Sequence, residues 1–101
     1  MIVYNITIKI NETIHEEWLV WQKEQHIREI MTTGLFEDSK IYRLLDQDDT
    51  EGPTYIIQFF ADTLENYFSY LSHYAAHFVE MAYKKWGNQF IAFRSLLEAV
   101  Q

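Results

Sequence analysis

The chain has 101 residues, which is room for one domain spanning residues 1–101, and 15 acidic against 8 basic residues give it a formal net charge of −7 at pH 7. Its basic residues are scattered, with Lys84-Lys85 the only adjacent pair, so nucleic acid and anionic membrane surfaces, which need clustered Lys and Arg, are excluded as partners. There is no cysteine, which removes disulfides, thiolate metal sites and cysteine nucleophiles and fits a reducing cytoplasm, the expected compartment.

Residues 2–10 alternate strictly. Ile2, Tyr4, Ile6, Ile8 and Ile10 point one way, and Val3, Asn5, Thr7 and Lys9 the other, which is a strand with one oily face rather than a signal peptide. Nowhere does an apolar run approach the ~20 residues that span a bilayer. Asn11 is placed to cap a helix from about residue 12 to Thr33, with Gly34 as its stop. Ile14, Trp18 and Trp21 share one stripe of that helix, whereas Ile27, Ile30 and Met31 lie nearly opposite. One straight helix cannot offer both stripes to one sheet. Either the helix breaks near Gln25-His26 or a second partner covers the other side.

A strand over about Phe36–Leu45, the polar turn Asp46–Pro53 and a strand over Thr54–Ala61 form a hairpin. Asp62 or Thr63 then caps a helix to about Trp86, stopped by Gly87-Asn88, with Leu64, Phe68, Leu71, Ala75, Phe78, Val79 and Ala82 as its apolar stripe. Phe90 to about Leu97 is the last strand. The order is that of a ferredoxin-like βαββαβ fold in the α+β class, a four-stranded antiparallel sheet with both helices on one face.

That layout leaves one face of the sheet open. Ile56 and Phe60 are assigned to it, and so are Phe90, Ala92 and Leu96 around Arg94. Strands apolar on both faces are normally covered on both, so a homodimer through the open sheet face is expected.

The segments YNITIKI, IHEEWLVWQKEQHI, TTGLFED, IYRLLDQDD with EGPTYIIQF, and FIAFRSLLE resemble a bacterial family of domains of unknown function, DUF4286, over nearly the whole chain. Trp18 and Trp21 before His26-Ile27, Thr33-Gly34 followed by Phe36, and Ala92-Phe93-Arg94 carry the likeness. It implies membership of the dimeric α+β barrel group, with antibiotic-biosynthesis monooxygenases, chlorite-dismutase-like proteins and stress-responsive barrel proteins, and hence a two-sheet dimer. One position departs. The resemblance leads one to expect a proline two residues after His26, where this chain has Arg28.

Candidate site residues follow. His26 is the catalytic candidate, since an imidazole titrates near neutrality and suits acid–base work. Ligand-binding candidates are Tyr4, Trp21, Arg94 and Gln58. Arg94, on a strand face expected to be covered, needs either a carboxylate partner or an anionic ligand, with Gln58, Asn5 and Thr7 beside it. His73, His77 and Glu80 have ligand spacing, yet the helical wheel puts them on the solvent side, so no metal is expected. Neither a phosphate loop nor a nucleophile elbow is visible. The function expected is a small-molecule-binding protein or a cofactor-free, monooxygenase-like enzyme, with no cofactor. The alternative is a non-catalytic protein whose homodimer surface is the product.

Overall fold

A computed structural model describes residues 1–100. Four antiparallel strands, β1 (Ile2–Ile10), β2 (Asp38–Arg43), β3 (Thr54–Ala61) and β4 (Phe90–Glu98), form one sheet in the order β2-β3-β1-β4. The helices are α1 (His15–Trp21) and α2 (Ile27–Met31) between β1 and β2, then α3 (Leu64–Tyr70) and α4 (Ala76–Trp86) between β3 and β4. This is the ferredoxin-like α+β arrangement.

Local chemistry sets the boundaries. The Asn11 side chain accepts from the Thr13 N–H and opens a short 3₁₀ turn, Glu12–Ile14, ahead of α1. Thr63 accepts from the Asn66 N–H at the start of α3. Gly87, at φ +62°, ends α4 by donating its N–H to the Tyr83 carbonyl at 2.8 Å. Gly52, at φ +138°, lies so close to β1 that a Cβ would fall 1.7 Å from the Ile10 carbonyl oxygen, so no side chain fits there.

The helix break is a π turn. Gln22–His26 joins α1 to α2 without leaving the helical path, and the Ile27 N–H donates to the Gln22 carbonyl five residues back. The extra residue rotates α2 relative to α1, so Trp18 and Ile30 both reach the core, although an ideal helix would set them apart. A second π turn, Leu71–Ala75, joins α3 to α4. It corrects the expected stripe of that helix. Before the turn Tyr67 and Tyr70 face inward while Leu64, Phe68 and Leu71 are exposed, and only from Ala75 on does the expected stripe hold.

Strand register corrects one further expectation. In β4, Phe90, Ala92, Arg94 and Leu96 pair with Ile10, Ile8, Ile6 and Tyr4 of β1, so they stand on the helix face and not on the open one. The open face of β4 is Ile91, Phe93, Ser95 and Leu97. Both sets are mostly apolar, so alternation alone did not fix the phase of this strand. For β3 the expected faces hold: Tyr55, Ile57 and Phe59 are buried under the helices, and Ile56, Gln58 and Phe60 point away.

Three rows cross the open face ahead of a fourth of Thr54, Lys9 and Ile91. Asp38, Phe60, Val3 and Leu97 form one, Lys40, Gln58, Asn5 and Ser95 the next, and Tyr42, Ile56, Thr7 and Phe93 the third. The molecule measures 38 × 32 × 19 Å, a slab two layers thick.

A candidate ligand cavity between sheet and helices

Between the sheet and the helical layer lies a cavity of about 40 Å³, lined by Tyr4, Ile6, Ile57 and Phe59 of the central strands, by Trp18, Gln22 and His26 of the first helical segment, and by Tyr70 and Phe78 of the second. Its deep wall is apolar, with Trp18, Ile57 and Phe59 fully buried. Val79 and Ala82 of α4 and Ala92 and Arg94 of β4 line it too, and they are only partly covered, so its mouth opens between α4 and the β4 edge. Water-sized guests need ~10–15 Å³ each, so about three fit as the cavity stands, and a ring-sized guest enters by displacing the partly covered side chains at its mouth.

The π turn puts His26 here. On an ideal helix Trp21 and His26 would project about 140° apart. The wider turn brings the two rings together, stacked at 4.2 Å between centroids and 22° between planes. Phe78 stands edge-on to the imidazole at 5.7 Å. His26 is left 8% exposed, and its Nδ1 has no hydrogen-bond partner. Burial, helped by the charge of His77, lowers its pKa to about 4, so the ring is neutral at pH 7. Gln22 stands four residues after Trp18, and its buried Oε1 also has no partner. Two orphaned polar atoms in one cavity wall are costly unless something meets them.

Tyr4 and Tyr70, both buried, line the cavity together with the exposed Arg94. The phenol rings of Tyr4 and Tyr70 are 5.8 Å apart, and burial raises both pKa values, against which the Arg94 guanidinium pulls. Arg94 is exposed and takes no part in the ion pairs among the described residues, which join Arg43 to Asp49 and Lys84 to Glu80. It is therefore neither buried nor paired with a carboxylate, contrary to expectation, because its strand face abuts the helices at the sheet edge.

The structure thus brings Tyr4, His26 and Arg94 together, with Trp21 behind the imidazole and braced by Trp86 at 5.7 Å. Gln58 is not among them. It lies on the open face and donates to Asn5 Oδ1 at 3.0 Å. Trp18 packs its ring on Tyr55 at 5.4 Å between centroids. Sequence reasoning missed Gln22 and Tyr70. A polar residue four after Trp18 on an apolar stripe was a legible signal for the first, whereas Tyr70 was hidden by the second π turn. His73 turns its Nδ1 to the Ser69 carbonyl at 2.9 Å, inside its own helix.

The family model of a domain of unknown function, DUF4286, matches residues 1–100. No curated protein is significantly similar in sequence. Among solved structures, a dimeric ferredoxin-like protein from an uncultured marine organism is 10% identical, with a TM-score of 0.73 over 99% of this chain and 95% of its own. SnoaB, a cofactor-independent oxygenase from Streptomyces nogalater, is 13% identical, with a TM-score of 0.71 over 99% of this chain and 93% of its own. The hydroxynitrile lyase of Passiflora edulis is 11% identical, with a TM-score of 0.61 over 99% and 96%. Identities this low show a common fold, and an oxygenase and a lyase that share it show that the fold does not fix a reaction.

Proposed function

This chain belongs to the DUF4286 family, whose description names no activity, and from the cavity itself we propose that the protein binds a small molecule between sheet and helices, as a homodimer joined through its open sheet face. The observation that carries the binding half is that two residues with an unpartnered buried polar atom, His26 (Nδ1) and Gln22 (Oε1), both line one mainly apolar cavity. Apolar walls with a few convergent polar groups are the usual make-up of a ligand site. Tyr4, Trp21 and Arg94 keep their candidate ligand-binding roles around it, and His26 joins them as a hydrogen-bonding group in place of a catalytic base; Gln58, on the far face, belongs to the dimer surface.

Binding is favoured over acid–base catalysis by the state of His26. An imidazole with a pKa of about 4 is a weak base near neutrality, although it remains a good hydrogen-bonding group. The dimer half rests on the apolar rows of the open face, and the dimeric ferredoxin-like relative supports it.

Phenol is a suitable first probe, with a ring for the apolar wall and a hydroxyl for Gln22 Oε1 or His26. In ¹H–¹⁵N spectra its addition should shift Trp18, Gln22, His26 and Ala92 together and saturably. Shifts that are absent, or scattered over the surface, would mean that the cavity holds only water.

A further inference from the structure

The mouth of the cavity has a chemistry of its own. Its lining includes one guanidinium, that of Arg94, and no acidic side chain at all, in a chain whose net charge is −7. Arg94 reaches it from β4 at the position paired with Ile6, two residues from the pairing of Leu96 with Tyr4. Its charge is felt at the hydroxyls of both Tyr4 and Tyr70. One fixed cation beside two phenols that stay protonated, and so can donate, is a receptor for an oxyanion.

The rest of the cavity narrows the class. No lysine, backbone N–H nest or second arginine lines it, so there is nothing to balance the second charge of a phosphate. Beyond the mouth the walls are Ile6, Ile8, Ile57, Phe59 and Phe78, which suit an apolar body. Resting on the reading of the cavity as a ligand site, we infer that its ligand is a small monocarboxylic acid, held with its carboxylate on Arg94, Tyr4 and Tyr70 and its apolar part directed inward along Ile57, Phe59 and Phe78.

The test uses acetate, butyrate and benzoate, each against its neutral amide, titrated at pH 7 and followed in ¹H–¹⁵N spectra. At least one acid should shift the Tyr4, Tyr70 and Ala92 signals and bind roughly tenfold or more tightly than its amide, the size of effect a charge-assisted hydrogen bond gives. Arg94→Met should bring that acid to the level of its amide, and Arg94→Lys should keep part of the preference. Because Arg94 is exposed, both variants should fold, which their spectra report directly. Equal binding of acid and amide, a preference that survives Arg94→Met, or no binding by any of the three acids would each overturn the inference. Phenol binding decides separately whether the cavity takes ligands at all, so a site that binds phenol yet ignores the charge refutes only the carboxylate.

Discussion

The imidazole of His26 is packed against Trp21 and Phe78, and its burial makes acid stability depend on its protonation. Unfolded, the ring takes up a proton near its ordinary value of 6.5; folded, it resists down to about 4. The unfolded chain thus binds more protons between these values, and stability rises with pH through that window. It is fully present above pH 6.5 and falls by about 3 kcal/mol as the pH drops to 4. Urea midpoints at pH 7 and pH 4.5 check this. His26→Asn should lose less stability over that interval than the parent chain does, and parallel losses would show that the ring protonates freely in the fold. Gln22 makes the complementary case. Its Oε1 is buried without a partner, so Gln22→Met removes a desolvation penalty and should raise stability by about 1 kcal/mol, while weakening phenol binding. A residue kept at a cost to stability is what a binding role looks like. A Gln22→Met chain less stable than the parent would mean that the amide already has a partner, such as a bound water.

At the scale of elements, the π turns decide which residues meet. Deleting exposed Lys23 from Gln22–His26 should restore ordinary helical hydrogen bonding and rotate α2 by about 100°. Ile30 would then leave the core and His26 the cavity. The expected loss is about 2–5 kcal/mol, the scale of removing a large aliphatic side chain, and the Trp21–His26 stack should vanish from the aromatic NMR spectrum. Unchanged stability would mean that the turn has no packing role. The first of these turns was legible in the sequence, because Trp18 and Ile30 sit on opposed stripes and both are too apolar to leave wet. The second was not, because Leu64, Phe68 and Leu71 make a plausible stripe that continues into Ala75 and Phe78, and only tertiary packing selects Tyr67 and Tyr70 instead. Strand order, the hairpin and the caps at Asn11 and Thr63 were legible for local reasons, in period-two alternation and side-chain oxygens at helix starts. The phase of β4 was not, since Phe90 and Ala92 are no more apolar than Ile91 and Phe93. That one ambiguity sent Arg94 to the wrong face and kept the cavity mouth from view.

At the scale of the whole molecule, the slab has a helical layer on one side of its sheet and, among the described residues, no helix on the other. Phe93 is 69% exposed and Ile91 60%, with Leu97 and Tyr42 also uncovered and Ile56 and Phe60 half-buried between them. A face of 38 × 32 Å is ample for the ~800 Å² per partner of a standard interface. Two such sheets packed face to face at ~10 Å would bury both apolar rows. The polar row of Lys40, Gln58, Asn5 and Ser95 between them would supply the hydrogen bonds that set the register. Phe93→Asp tests this cleanly, because the side chain contributes little to the lone chain and is a large, exposed apolar group on the open face. Light scattering should change from about twice 12.2 kDa to that of a single chain at micromolar concentration, with the helical signal unaltered. The affinity loss should be about 2–3 kcal/mol, the apolar burial of one phenylalanine. Phe68→Asp is the control. Phe68 is 52% exposed, but it lies on α3, on the helical side of the slab, so its variant should remain dimeric. If Phe68→Asp dissociates the protein and Phe93→Asp does not, the copies meet through their helices and the open sheet serves another partner. If neither does, the association runs through the sheet edges, where β2 and β4 leave their outer backbone groups unpaired.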